Sequence, residues 1–212
     1  MIFMIKNLFW KNYKVSNILL NNYDYFVNNL NCKYVWKCNQ NIIKDLYKNN
    51  LSNDHLEIGP GTGHFLKKHK FNSLHLIDIN NDILNDSYKN LKKNSKKIVK
   101  INQNIFSENN KINITNVNSI GLSYVLHCIP NTLDTSLNYL INNLNQKDIT
   151  LFGSTVVPTN ANIFASSELF FLNKLGIFNN VNHNVEQLKN FSKNYEHEIN
   201  IVGNVLVFKI KI

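Results

Sequence analysis

The sequence predicts an α/β fold: a doubly wound, mostly parallel seven-stranded sheet with an antiparallel C-terminal hairpin. Three observations predict it. Short apolar segments alternate with segments of helical periodicity along most of the chain. A glycine-rich turn follows the first short apolar segment, and Gly203-Asn204 separates two apolar runs near the end. The 212 residues contain no internal repeat and no linker rich in Pro, Gly or Ser, so residues 1–212 are expected to form one domain.

The elements follow one another in a regular order. Two amphipathic helices are predicted at the start, over 15–31 and 39–49. The remaining predicted elements are strand 55–58, a helix through Phe65 and Leu66, strand 74–79, helix 82–91, strands 98–101 and 119–126, helix 132–144, strand 149–157, helices 161–175 and 183–195, and strands 199–202 and 205–212. The closing hairpin is expected to add one reversed strand at the edge of the sheet.

The charge of the chain is high but has a compositional explanation. The formal net charge is +9, and all 23 basic residues are Lys. The chain also contains 42 Asn and only two Ala, a bias typical of an AT-rich genome. Proteins that read nucleic acids rely on Arg, whose planar group pairs with guanine and phosphate. A nucleic-acid partner is therefore not expected, although Lys can still neutralise phosphates.

Cysteine use and hydropathy indicate the compartment. Three cysteines, Cys32, Cys38 and Cys128, cannot form a disulfide framework, and no second Cys or His pair gives them zinc-site spacing. No metal site is expected. The chain has no apolar stretch of the ~20 residues that a membrane span needs, and its start is interrupted by Lys and Asn. These features predict a cytoplasmic protein without membrane contact.

The segment most informative about chemistry runs from Glu57 to Gly63 and reads EIGPGTG. Dinucleotide-binding folds use G-x-G-x-x-G, whereas the glycines here are spaced G-x-G-x-G. A carboxylate at Glu57 would repel a pyrophosphate but suits a ligand with a cationic amino-acid end and a ribose. Asp78, 21 residues later at the end of the next strand, can accept hydrogen bonds from both ribose hydroxyls. The alternatives are a tight turn without a ligand and, for Asp78, a helix cap.

Residues 55–128 resemble the class I S-adenosylmethionine-dependent methyltransferases. Segment Glu57–Gly63 matches the first motif of that family, and Ile77-Asp78-Ile79 matches the second. The resemblance implies that S-adenosylmethionine is the cofactor and S-adenosylhomocysteine the product. The cofactor-binding residues that it implies are Glu57, Gly59, Pro60, Gly61, Gly63, Asp78, Ile79, Asn104, Ile105, Leu122 and Ser123. Two positions that are usually acidic in the family are Asn104 and Asn118 here.

The resemblance also indicates where the methyl acceptor binds. His127 follows the fourth strand, at the edge that faces cofactor and acceptor in this family, and is predicted to act as a base, to orient the acceptor or to line the pocket. Acceptor contacts are expected from Tyr23, Trp36, Tyr124 and His127, under an N-terminal helical lid over 1–50 and an insertion over 159–182. Cys128 is expected to be a buried thiol and not a nucleophile.

A narrower resemblance is to a small group of predicted methyltransferases called YbcY-type. It rests on Tyr23-Asp24, Trp36 and Cys38, on LHCIP after the fourth strand and on GIFNN at 176–180. The predicted function is methyl transfer to an O, N or S atom of a small molecule by in-line displacement.

Two alternatives stay open. One is an RNA adenine N-methyltransferase, because EIGPG also resembles the rRNA dimethyladenosine enzymes, although their Asn-Leu-Pro-Tyr clamp is missing. The other is a catalytically inactive, cofactor-binding partner subunit, because Asn occupies two usually acidic positions. Neither the acceptor molecule nor the oligomeric state follows from the sequence.

Overall fold

The structure is a computed structural model, and it describes residues 32–114, 116–144, 146–159 and 163–212. The predicted helix over 15–31, the predicted acceptor residue Tyr23 and the first 31 residues of the predicted lid lie outside the described residues.

The centre of the fold is a seven-stranded sheet with the strand order β3-β2-β1-β4-β5-β7-β6. The strands are β1 Asp54–Ile58, β2 Phe71–Asp78, β3 Ser95–Asn102, β4 Ser119–Ser123, β5 Thr150–Val156, β6 Glu196–Val202 and β7 Val205–Lys211. The five strands from β3 to β5 in this order pair in parallel, and β7 is antiparallel to both β5 and β6. The predicted mostly parallel sheet with a terminal hairpin is confirmed. The predicted position of the reversed strand at the edge is wrong, because β7 lies between β5 and β6.

Helices cover both faces of the sheet. They are α1 Gln40–Asn50, α2 Asn81–Leu91, α3 Leu133–Leu144, α4 Ile163–Lys174 and α5 Val185–Ser192. Asparagine, abundant in this chain, starts three of them: the side chains of Asn39, Asn80 and Asn184 accept hydrogen bonds from backbone N–H groups of the first turn. One apolar cluster joins α3 and α5 to one face, and a second joins α1, α2 and α4 to the other. The result is the three-layer arrangement that a doubly wound fold requires.

The connection between β1 and β2 differs from the prediction. Residues 64–68 form hydrogen-bonded turns in place of the predicted helix through Phe65 and Leu66. The N–H of Leu66 donates to the carbonyl of Gly63 (3.0 Å), and the N–H of His69 donates to the carbonyl of Leu66 (3.0 Å). Only seven residues, 64–70, separate the glycine turn from β2, which leaves room for at most about two turns of helix. The predicted helix through Phe65 and Leu66 is therefore wrong.

The fourth strand ends earlier than predicted. β4 stops at Ser123 and not at Leu126, because Tyr124 adopts a left-handed backbone conformation with φ of 60°. A single 3₁₀ turn, Leu126–Cys128, follows. This break turns the chain across the carboxyl end of the sheet and brings His127 to that edge.

In the part of the chain that the structure describes, no helix is both long enough and apolar enough to cross a membrane.

Candidate active site

The glycine turn after β1 has the backbone that only glycine adopts readily. Gly59, Gly61 and Gly63 have φ angles of 63°, 53° and 74°. A Cβ atom added at Gly59 would lie 2.5 Å from Val125, and one at Gly63 would lie 2.7 Å from Leu91, so packing also excludes side chains there. A Cβ at Gly61 would meet nothing within 4 Å. The space beside Gly61 is therefore open for a ligand to approach the backbone.

The carboxylate of Glu57 is held beneath this turn by two buried donors. The hydroxyl of Tyr47 donates to Oε1 at 2.6 Å, and Nε2 of His55 lies 2.9 Å from Oε2. Burial is the main reason that the pKa of Tyr47 lies well above its usual value, so this hydroxyl keeps its proton. Gly121 on β4 leaves space for the carboxylate of Glu57, since a Cβ at position 121 would lie 2.3 Å from Oε2.

Sequence reasoning missed both partners of Glu57. His55 and Glu57 alternate on β1, so their side chains share one face of the sheet, and this period-two spacing could have indicated the pair. Tyr47 comes from α1 and shows no comparable signal. Through these contacts, α1 and β1 together fix the residue that precedes the glycine turn.

Asp78 lies at the carboxyl end of β2, beside β1 and the glycine turn. Its Oδ1 accepts a hydrogen bond from the N–H of Asn80 at 2.8 Å. Burial raises the pKa of its carboxyl group from 3.8 to about 6, although backbone N–H groups oppose the shift. A half-buried carboxylate whose charged form is disfavoured by burial is typical of a binding site. Ile79, the next residue, is 59% exposed and offers an apolar surface at the same edge.

The other predicted cofactor residues lie at the ends of β3 and β4. Asn104 is exposed, and its Oδ1 accepts from the N–H of Phe106 at 3.1 Å, so the side-chain carbonyl is already used by its own turn. Ile105 and Leu122 are buried in the core, and Ser123 ends β4 half-buried. All four residues stand at the edge that carries the glycine turn and Asp78, and their predicted cofactor contacts stay predictions.

His127 is buried and uncharged. Its Nδ1 accepts a hydrogen bond from the N–H of Val156 at 3.4 Å, and its ring centroid lies 4.2 Å from that of Phe178. Burial, with a smaller effect of His183, lowers the pKa of the imidazole to about 3. This lowered pKa, together with the hydrogen bond that already occupies Nδ1, favours an orienting role for His127 over general-base catalysis.

Aromatic side chains surround His127. Trp36 stacks against Phe178 with centroids 6.3 Å apart, and Tyr124 lies edge-on to His127 at 6.3 Å. The hydroxyl of Tyr124 accepts a weak hydrogen bond from the thiol of Cys32 (3.4 Å). The structure thus brings together three of the predicted acceptor residues, and it adds Phe178 from the predicted insertion over 159–182.

The end of that insertion is fastened to the loop carrying His127. The N–H of Asn179 donates to the carbonyl of His127 (2.8 Å), and its side-chain amide donates to that of Cys128 (2.9 Å). The amide of Asn180 donates to the carbonyl of Val156 (2.8 Å). His183, which sequence reasoning missed, lies next along the chain, with Nε2 2.9 Å from the carbonyl of Asn131.

No cysteine described at this edge is activated as a nucleophile. Burial raises the pKa of Cys128 to about 12 and that of Cys38 to about 11, so both stay thiols. Among the described residues, no three His, Cys, Asp or Glu side chains cluster closely enough to hold a metal ion.

Comparisons with curated proteins identify relatives of this chain, although no family model matches it. Methyltransferase aurB of Calcarisporium arbuscula is 28% identical over 91% of this chain and 92% of its own length. The putative uncharacterized protein YbcY of Escherichia coli K12 is 32% identical over 74% of this chain and 84% of its length. Demethylluteothin O-methyltransferase of Streptomyces thioluteus is 27% identical, with 80% of this chain and 76% of its length covered.

A solved structure has the same fold. The N-methyltransferase NodS of Bradyrhizobium japonicum WM9, in complex with S-adenosylhomocysteine, superposes with a TM-score of 0.54 at 12% identity, over 80% of this chain and 83% of its own. The resemblance to YbcY seen in the sequence is confirmed by the 32% identity. Together with the strand order and the glycine turn, these relatives show that the chain belongs to the class I S-adenosylmethionine-dependent methyltransferases.

Proposed function

We propose that this protein transfers the methyl group of S-adenosylmethionine to an O, N or S atom of a small-molecule acceptor. The observation that carries the proposal is the open backbone at Gly61, placed at the same sheet edge as Asp78 and the aromatic surroundings of His127. The names of two relatives, Methyltransferase aurB and Demethylluteothin O-methyltransferase, support a methyltransferase, and the second of them names a transfer to oxygen.

The residues at this edge fit S-adenosylmethionine. Gly61 allows a ligand to contact backbone, and the carboxylate of Asp78 can accept from two vicinal hydroxyls. The exposed side chain of Ile79 offers an apolar contact for a purine. Glu57 supplies negative charge beneath the turn, toward the cationic amino-acid end, while its oxygens are occupied by Tyr47 and His55.

The other predicted contacts complete this site in the proposal. They come from the backbone of Gly59 and Gly63 and from Pro60, Asn104, Ile105, Leu122 and Ser123. Asn104 would face the purine with its amide, since its carbonyl is bound to Phe106.

Catalysis in this proposal is mainly alignment. S-adenosylmethionine would supply an electrophilic methyl group from its sulfonium and leave as the neutral thioether S-adenosylhomocysteine, while the acceptor would release its proton to solvent. The protein has to hold the acceptor atom in line and exclude water, which contributes ~7–11 kcal/mol in the best intramolecular systems. Trp36, Tyr124 and Phe178 supply apolar walls, and neutral His127 orients the acceptor by hydrogen bonding. We expect the predicted lid over 1–50 and the predicted insertion over 159–182 to cover the acceptor.

Two further parts of the proposal concern partners and location. A small acceptor is favoured over RNA because the chain contains no Arg and His127 is enclosed by aromatic rings. A cytoplasmic location is favoured because Cys32, Cys38 and Cys128 are all free thiols.

Release of S-adenosylhomocysteine from S-adenosylmethionine tests the function. Purified protein would be incubated with phenols, carboxylic acids, amines and thiols in turn, and with RNA as a separate acceptor. We expect acceptor-dependent release with at least one small molecule, loss of it in Asp78→Asn, and unchanged release in Asp45→Asn, which removes an equal charge at an exposed site on α1. Turnover with RNA alone, or cofactor binding without turnover on any acceptor, would contradict the proposal.

A further inference from the structure

A cavity of about 550 Å³ opens on the sheet away from the glycine turn. It lies on the face of β1 and β2 that carries Asp54, Ser73 and His75. Asp54 is the first residue of β1, whereas the glycine turn follows its last residue. Farther along the same face, Ile58 and Ile77 are buried in the core between the cavity and the carboxyl edge. The cavity therefore opens at the start of β1, and only its far end, at Gln103 next to Asn104, approaches the proposed methyl-transfer site.

The cavity exists because a loop covers this part of the sheet. Residues 103–114 and 116–118 contain no helix and no strand. Ile112 and Ile114 anchor the loop in the core, but Val99 and Ile101 on β3 stay half-buried beneath it. The volume lies within the range of about 300–1,000 Å³ that small-molecule sites occupy.

A buried histidine in the wall has an unused hydrogen-bonding atom. His75 is only 8% exposed, and its Nδ1 is fully buried without a hydrogen-bond partner among the described residues. Buried polar atoms are nearly always paired, so a turn of the His75 ring that brings Nδ1 to the cavity would let a ligand supply the missing partner. Burial and nearby Lys97 lower the pKa of His75, and Asp54 partly opposes them, so the ring is neutral and can donate or accept.

Charge and polarity divide the lining into two parts. Two exposed ammonium groups, Lys97 and Lys111, face one carboxylate, Asp54, which leaves an excess positive charge. The apolar part consists of Val99, Ile101, Ile112 and Ile114. A ligand complementary to both parts carries a single negative charge on an apolar body.

We propose that this cavity is a second binding site, which takes a small organic carboxylate with its charge toward Lys97, Lys111 and His75 and its apolar body on the isoleucines. The proposal does not depend on the proposed function, because Lys97, Lys111 and His75 lie outside the methyl-transfer edge, although the lining residue Gln103 donates its N–H to the carbonyl of Asp78.

Calorimetric titration of the whole protein with 3-phenylpropionate tests the proposal, with neutral 3-phenylpropionamide as the matched probe. We expect saturable binding of the acid at about millimolar concentration, with the amide at least tenfold weaker. The double variant Lys97→Gln/Lys111→Gln should bind the acid about tenfold more weakly than the wild type. The double variant Lys92→Gln/Lys96→Gln should bind it with unchanged affinity. The control pair is also exposed, and Lys96 lies on the opposite side of β3.

Two further readouts place the probe. The imidazole signals of His75 should shift on addition of the acid, and saturating S-adenosylhomocysteine or Asp78→Asn should leave acid binding unchanged. Displacement by S-adenosylhomocysteine, equal binding of acid and amide, or an unshifted His75 would overturn the proposal. So would absence of binding up to about 10 mM acid. Failure of the cofactor to bind would not affect this result, so the two proposals fail separately.

Discussion

Replacing Asp78 by Asn is expected to stabilise the ligand-free protein at neutral pH. The folded-state pKa of this carboxyl is raised from 3.8 to about 6, so the folded protein binds its proton more tightly than the unfolded chain. The charged form therefore costs stability above pH 6, and the cost disappears as the pH falls toward 3.8. The carboxamide introduced by the substitution carries no charge, and its oxygen can still accept from the N–H of Asn80.

The size of the effect follows from the shift. Each pKa unit corresponds to about 1.4 kcal/mol, so the shift amounts to about 3 kcal/mol before allowance for the remaining exposure of Asp78. We expect Asp78→Asn to raise the free energy of unfolding by about 2 kcal/mol at pH 7.5 and by about 1 kcal/mol or less at pH 4.5. A residue that lowers stability in the free protein is retained for binding, which is a common relation at active sites.

Urea unfolding at pH 4.5 and pH 7.5 measures this difference for the wild type, Asp78→Asn and the exposed control Asp45→Asn. The control should show no pH-dependent gain. An Asp78→Asn variant that is less stable than the wild type at pH 7.5, or a gain equal at both pH values, would refute the reasoning. In that case the burial cost would not be located at Asp78.

Other predictions concern the site around Asp78. Tyr47→Phe removes the donor to Oε1 of Glu57 and should lower the free energy of unfolding by about 1.5–3 kcal/mol in urea, with an unchanged fold by circular dichroism. Gly61→Ala should lower the free energy of unfolding by only about 1 kcal/mol, because no atom lies within 4 Å of the added Cβ. The same substitution should weaken the binding of S-adenosylhomocysteine at least tenfold in calorimetry. Gly59→Ala should cost more, about 2–4 kcal/mol, because its Cβ meets Val125; equal costs at both glycines would contradict this comparison. Because the pKa of His127 is lowered to about 3, ¹⁵N NMR should show an uncharged ring from pH 8 to pH 5. In the unfolded chain the same imidazole takes up a proton below about pH 6.5, which favours unfolding in acid. His127→Gln should therefore lose less stability than the wild type as the pH is lowered.

Much of the fold was predictable because its signals are local. Strands and helices differ in the spacing of their apolar side chains, and the Gly203-Asn204 turn depends on glycine. Both signals can be recognised within a few consecutive residues. The position of β7 between β5 and β6 was not predictable, because the turn sets the pairing of two strands but not which of them meets β5. The helix after Gly63 was wrongly predicted because a glycine turn after a strand commonly opens a helix, although the count of residues 64–70 already argued against it.

The candidate site divides in the same way. Glycines and Asp78 were found because their backbone roles demand particular residue types at fixed spacing. Tyr47 contacts Glu57, and Phe178 contacts His127, across separate elements of the fold. No local sequence pattern predicts either contact, because the partners meet only in the folded protein. The uncharged state of His127 likewise arises from burial, which depends on the assembled fold.

Calorimetric titration of the purified protein with S-adenosylmethionine and S-adenosylhomocysteine tests the central claim most directly. We expect both to bind the wild type and Asp45→Asn with about micromolar dissociation constants, near −8 kcal/mol, and to lose measurable binding in Asp78→Asn. Absence of binding to wild-type protein that unfolds cooperatively in urea would contradict the claim that this edge of the sheet is a methyltransferase site.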